Sequence, residues 1–153
     1  MKHATLIRAL LMAAATALAV GASAQQAAST PVKAKAKAPA KAKLVFQVSD
    51  GDAGKWNLAL NNAKNVQQEL GADKVDIEIV AYGPGIGMLK AESPTANRVA
   101  QAVDSGVKIV ACENTMTNLN LTKSDMHASI GYVPAGVVEL MTRQKQGWAY
   151  IRP

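Results

Sequence analysis

From Leu44 onward the chain alternates between two hydrophobic periods. Leu44-Val45-Phe46-Gln47-Val48 is a short apolar run, and Val75, Ile77, Ile79 and Ala81 alternate with their neighbours as far as Tyr82. A period of two puts those four side chains on one face of a strand. Between the two runs, Trp56, Ala59, Leu60, Ala63, Val66 and Leu70 recur at helical spacing within Gly54 to Leu70. Ser49-Asp50-Gly51-Asp52 is a turn with an acid to cap that helix, and Gly71 ends it. Gly83-Pro84-Gly85-Ile86-Gly87 reads as a loop. Ser93-Pro94 predicts a helix start, with serine at the N-cap and proline at the first helical position; Gly106 closes that helix. Val107 to Ala111 is a third strand ending at Cys112, followed by an irregular or briefly helical stretch from Asn114 to Asp125. Gly131-Tyr132-Val133 is a brief fourth strand. Val137 to Gln146 is a helix with Val137, Val138, Leu140 and Met141 inward, stopped by Gly147, and Trp148 to Arg152 is a last edge strand.

Strands joined through helices pair in parallel, so this pattern predicts an α/β fold, a three-layer α/β/α sandwich. Right-handed crossovers then gather the loops that follow the strands at one edge of the sheet, where ligands bind in such folds. Three segments meet there: Ser49 to Asp52, Gly83 to Met88, and Cys112 to Met116.

The N-terminus has another character. Lys2, His3 and Arg8 precede an apolar run from Leu10 to Val20, and Ala22-Ser23-Ala24 follows. Positive, apolar, then small-x-small is the order of a secretory signal peptide, and the apolar run is too short to span a bilayer. Residues 1–24 are therefore expected to be removed after Ala24, with the mature chain in the periplasm. Cys112 is the only cysteine and lies far from that cleavage point, which excludes a lipid anchor there. No twin-arginine pair is present, so export of an unfolded chain with no preloaded cofactor is expected. Residues 25–43 are Ala, Lys, Pro, Ser and Thr with a few Gln and Val, a composition that cannot bury a core and predicts a disordered linker. Residues 44–153 are then one α/β domain.

Composition changes the picture mainly through charge. The formal net charge is +6, from 17 Lys and Arg against 11 Asp and Glu. Two of the basic residues lie in the leader and five in the linker, leaving ten against all eleven acids in the domain, a net of −1. The domain has no basic face and is poor in aromatics, so nucleic acid is not an expected partner. No later stretch is long or apolar enough to span a membrane.

The candidate chemistry centres on Cys112. A thiol where a strand ends and a helix begins faces free backbone amides, which favour thiolate and so a nucleophile or a sulfur carrier. Glu113 beside it opposes ionisation. The competing reading is a small hydrophobe that finishes a buried strand. Gly83, Gly85 and Gly87 form either a backbone wall of a small-ligand pocket or a connection that only glycine can follow; Met88 replaces the third glycine of a dinucleotide fingerprint. Asp50 and Asp52 read as caps, with a divalent cation as the remote alternative. Asn57, nearest the ligand edge among the asparagines of the first helix, joins Asp50, Asn114 and Thr115 as a candidate ligand-binding residue. His127 is the only histidine after the leader, so no multi-histidine metal site is expected; it is a surface residue or, less simply, a proton partner for Cys112. No metal and no cofactor are expected, and no G-x-S-x-G elbow or cysteine pair is present.

Five runs carry a family resemblance: Val45-Phe46-Gln47-Val48-Ser49-Asp50, Trp56-Asn57-Leu58-Ala59-Leu60-Asn61-Asn62, Val80-Ala81-Tyr82-Gly83-Pro84-Gly85, Val110-Ala111-Cys112-Glu113-Asn114-Thr115-Met116 and Tyr132-Val133-Pro134-Ala135-Gly136-Val137. Together they resemble the DsrE/DsrF-like family, and more narrowly its small exported members. The resemblance implies a mainly parallel five-stranded sheet of DsrEFH-like, Rossmann or flavodoxin-like kind. It also implies homotrimers or hexamers and a link to sulfur metabolism. In the sulfur-relay branch a cysteine at this strand end carries sulfur as a persulfide, and Cys112 matches that position. The implied activity is sulfur binding or sulfur transfer, with a small sulfur compound or another protein as donor and acceptor. The alternative is a non-catalytic oligomeric module that binds a small ligand or a protein, with Cys112 buried and structural.

Overall fold

Branched side chains fill the strands of the computed structural model, which describes residues 40–153. The leader and nearly all of the linker, residues 1–39, lie outside the described residues. The strands are β1 (Ala42–Val48), β2 (Val75–Ala81), β3 (Lys108–Cys112), β4 (Gly131–Val133) and β5 (Ala149–Ile151). All pair in parallel, in the order β4-β3-β2-β1-β5. β2 lies at the centre, and its Ile79, Val80 and Ala81 are completely buried, as a parallel sheet covered on both faces requires. β1 starts two residues earlier than its apolar run, because backbone pairing continues to Ala42, opposite Val75. Lys41 adds an ion pair to Asp76 at 3.1 Å.

The helices are α1 (Ala53–Leu70), α2 (Ala96–Asp104), α3 (Glu113–Asn118) and α4 (Gly136–Lys145). Asp52 caps α1 by accepting from the Lys55 amide, and Gly71 closes it with φ +92°. Gly83–Leu89, expected as a loop, is a 3-10 helix. α2 starts after Thr95 rather than after Ser93. Ser93 and Pro94 form a separate turn, and the Thr95 hydroxyl donates to the Met88 carbonyl at 3.2 Å, anchoring this entry to the 3-10 helix.

One face of the sheet carries α1, α2 and the 3-10 helix. There Phe46, Ile79 and Ile109 pack with Leu60, Ile86 and Leu89, and Met116 of α3 joins them. The other face holds a smaller cluster of Val45, Val80, Val110, Val133 and Leu140 beneath α4, which crosses from β4 at one edge to β5 at the other. Three layers are present, but the outer one on this side is a single helix. Its rotation departs from the expected one. Leu140 is buried, whereas Val137, Val138 and Met141 are exposed. Gly136, Leu140 and Arg143, four and three residues apart, form the stripe that faces the sheet. Arg143 reaches Glu78, a completely buried carboxylate of β2 that Lys108 also approaches at 3.2 Å. No helix among the described residues is long and apolar enough to cross a membrane.

Candidate functional site

Strands β1, β2 and β3 end at the same edge, and tight backbone packing holds their following segments together. Tyr82 donates its amide to the Val48 carbonyl at 3.1 Å. A Cβ on Gly85 would sit 2.3 Å from that same carbonyl oxygen, so only glycine lets the 3-10 helix lie on the end of β1. Gly83, at φ +53°, donates its amide to Thr115 Oγ1 at 3.0 Å and so ties the β2 loop to α3. Gly87 lies under the Trp56 ring, 3.0 Å from where its Cβ would be.

Cys112 ends β3 and stands at the N-cap of α3. It is 5% exposed, yet it belongs to neither apolar cluster. Burial works against its thiolate. The Thr115 hydroxyl and the amides of Gly136, Thr115 and Asn114 outweigh that cost and hold the thiol below its ordinary value. The Asn114 amide is itself bonded to the Pro134 carbonyl at 3.1 Å, and no side-chain hydrogen bond caps α3. These groups therefore act on the sulfur as oriented dipoles more than as saturated hydrogen bonds. Thr115 is the best placed of them. Its oxygen accepts from Gly83, which leaves its own proton for the sulfur.

Gly136 is the partner that sequence reasoning missed. A Cβ there would lie 3.1 Å from Tyr82 Cβ and 3.3 Å from Cys112 Cβ, so glycine is what lets the first turn of α4 approach the thiol. The Ala135-Gly136 pair ahead of a helix was the available signal, but nothing local shows that β4 delivers it to Cys112. Beside Thr115 opens a mostly apolar cleft of about 410 Å³, lined by Gly83, Pro84, Thr115, Asn118 and Leu119. Thr115 both lines this cleft and hydrogen-bonds the sulfur.

The other candidates are engaged elsewhere. Asp50 pairs with Arg152 at 3.5 Å, and its carbonyl accepts from the Trp56 indole at 2.6 Å. Asn57 donates to the Ala53 carbonyl and accepts from Arg98 of α2. His127 Nδ1 accepts from the Ser129 amide, and Glu113 lies 3.8 Å from Lys123; neither is among the groups that shift the thiol. The structure thus brings together Cys112, Asn114, Thr115 and Gly83, with Gly136 added. Among the described residues no three His, Cys, Asp or Glu side chains are grouped to hold a metal.

Residues 42–153 match the DsrE/DsrF-like family over the whole of this fold. The chain belongs to the DsrE/DsrF-like family. This family member resembles MTH1491 from Methanobacterium thermoautotrophicum, a protein of unknown function, at 32% identity and a TM-score of 0.71, over 74% of this chain and 100% of that one. BT1422 from Bacteroides thetaiotaomicron, also of unknown function, is 16% identical with a TM-score of 0.60, over 72% of this chain and 94% of its own. The ychN protein from E. coli is 10% identical with a TM-score of 0.59, over 74% and 99%. The last two likenesses are of fold alone. No curated protein is similar enough to add to these.

Proposed function

We propose that this DsrE/DsrF-like chain binds and transfers sulfane sulfur through Cys112, as a periplasmic persulfide carrier. The observation that carries the reading is the setting of the thiol: an anion-favouring cradle of Thr115 and three backbone amides beside an open cleft. The thiolate attacks the outer sulfur of a persulfide or thiosulfate donor. A new S–S bond forms on Cys112 as the donor's S–S bond breaks, and the donor leaves as its thiolate or as sulfite. An acceptor thiolate then takes the outer sulfur and frees the Cys112 thiolate. Amides that favour the thiolate also favour the anionic persulfide formed at the same position. Incubating the mature chain with thiosulfate or a persulfide, then measuring intact mass, is expected to show the gain of one sulfur atom, and none in Cys112→Ser. Equal gain in that variant, or no gain at all, refutes the proposal.

One observation favours a second reading. At 5% exposure Cys112 also suits a structural residue in a non-catalytic, ligand- or protein-binding module. Thiol-labelling rates separate the two. A carrier whose sulfur is hydrogen-bonded by Thr115 reacts with a small alkylating reagent at near the free-cysteine rate, whereas a sealed thiol reacts slowly with small and bulky reagents alike.

Two further parts of the proposal concern setting. Export rests on the leader pattern of residues 1–24 and is checked by cell fractionation and by the N-terminal sequence of the mature chain, expected at Gln25. Self-association rests on the exposed apolar stripe of α4.

A further inference from the structure

Away from Cys112, two side-chain bridges join α1 to α2. At one, Arg98 donates from Nη1 to the side-chain oxygen of Asn57 and, at 3.4 Å, to its carbonyl; from Nη2 it donates to Asn61 Oδ1 at 2.6 Å. At the other, Gln67 donates to the Ser105 carbonyl at 2.8 Å and Ser105 Oγ donates back to Gln67 Oε1 at 3.1 Å. Between the bridges lies a cleft of about 170 Å³, with Ala63, Ala102 and Val107 as its floor and Lys64, Arg98 and Gln101 at its rim. That volume is several times the roughly 10–15 Å³ that a single water needs, room for a small ion with some of its hydration shell.

The charge of this cleft is one-sided. Both ionic side chains that line it are cations, and among the described residues neither lies within ion-pair distance of a carboxylate. The acceptors that hold Arg98 are neutral amide oxygens, which fix the guanidinium plane without cancelling its charge. A guanidinium has five N–H donors. Three are taken by the Asn57 and Asn61 oxygens, and Nε–H has no partner among the described residues. A half-buried guanidinium with its plane fixed and donors to spare is suited to a planar or tetrahedral oxyanion.

We propose that the α1–α2 cleft binds a small oxyanion head group, held by the remaining N–H donors of Arg98 with Lys64 as the second cation. The head group is either that of a free inorganic oxyanion or the carboxylate of a short organic acid whose apolar body rests on Ala63, Ala102 and Val107. This site is independent of Cys112.

The test follows the Arg98 Nε–Hε resonance of the full mature chain, assigned by its loss in Arg98→Gln, during titration with sodium sulfate or sodium butyrate. Sodium chloride holds the ionic strength constant. A saturable shift with either ligand is expected. Sulfate alone identifies an inorganic oxyanion, butyrate alone a carboxylate, and both the shared head-group chemistry. Because Arg98 also braces α1 against α2, the exposed Lys64 provides the second arm: Lys64→Gln is expected to weaken binding about threefold, the worth of one partly solvated charge contact. Cys112→Ser leaves the titration unchanged. A response to both ligands no greater than chloride gives, or affinity unaltered in Lys64→Gln, overturns the proposal.

Discussion

A buried thiol ionises only where local dipoles offset lost hydration, and at Cys112 the one removable dipole is the Thr115 hydroxyl. Thr115→Val keeps the shape, deletes the proton that faces the sulfur and leaves the Gly83 amide without its acceptor. Since the native thiol lies below its ordinary value, thiolate is present above that lowered value and disappears as pH falls through it. The variant's alkylation profile is expected to move to higher pH, with the neutral-pH rate falling about threefold to tenfold, the worth of one hydrogen bond. Rates at high pH, where both thiols are ionised, stay equal. An unmoved profile would leave Thr115 without a role in activating the thiol. Cys112, Thr115 and Gly83 were legible in the sequence because strand ends, glycine turns and helix starts are local signals. Gly136 was not, since its approach to Cys112 depends on how β4 pairs with β3. The bond that engages Asn57 was not legible for the same reason: its partner Arg98 lies 41 residues away on another helix.

Among the elements, β2 and α1 follow their periodicity closely, because one face of each meets a continuous apolar core. α4 does not. Its most apolar stripe, Val137, Val138 and Met141, points outward, and the stripe of Gly136, Leu140 and Arg143 points in. The sequence pattern could not show this, because the deciding interaction pairs Arg143 with Glu78, a residue distant in sequence on β2 whose carboxylate lies on the face that α4 covers. Removing one partner of a buried ion pair strands the other, so Arg143→Met is expected to cost about 3 kcal/mol by urea unfolding. The double variant Arg143→Met with Glu78→Gln recovers most of that loss; equal stability of the single and double variants would refute the coupling. The pair also has a pH signature. Burial raises the Glu78 carboxyl above its ordinary value, against the pull of Lys108 and Arg143. Between those two values the folded chain binds more protons than the unfolded chain. This contribution to stability is thus fully present below the ordinary carboxylate range and is lost as pH rises through the raised value. The urea midpoint of wild type is expected to fall relative to that of Glu78→Gln as pH rises over that window, and a constant difference would count against it.

For the molecule as a whole, the uneven sandwich matters most. Two helices and a 3-10 helix bury one face of the sheet, while α4 alone crosses the other and exposes Val137 at 60%, Val138 at 53% and Met141 at 48%. Single exposed apolar side chains are ordinary, but three on adjoining turns of one helix form a patch of the kind that marks an interface. A second copy of the chain is the occupant proposed here, because a homo-oligomer covers the patch on every subunit by symmetry. Position gives the interface a consequence for chemistry. Val137 directly follows Gly136, whose amide faces Cys112, so subunits meeting through α4 would sit beside the thiol and limit which acceptors reach it. Replacing Val138 and Met141 together by lysine places charges in that contact without touching Leu140 or Arg143. Sedimentation equilibrium is expected to show wild type larger than a monomer and the double variant monomeric at the same concentration, with unchanged helical circular dichroism. In the monomeric variant Cys112 should also be alkylated faster by a bulky reagent, while its rate with a small reagent stays constant. A wild type that is monomeric throughout, or an oligomer indifferent to both lysines, would remove α4 as the contact and with it this means of restricting access to the thiol.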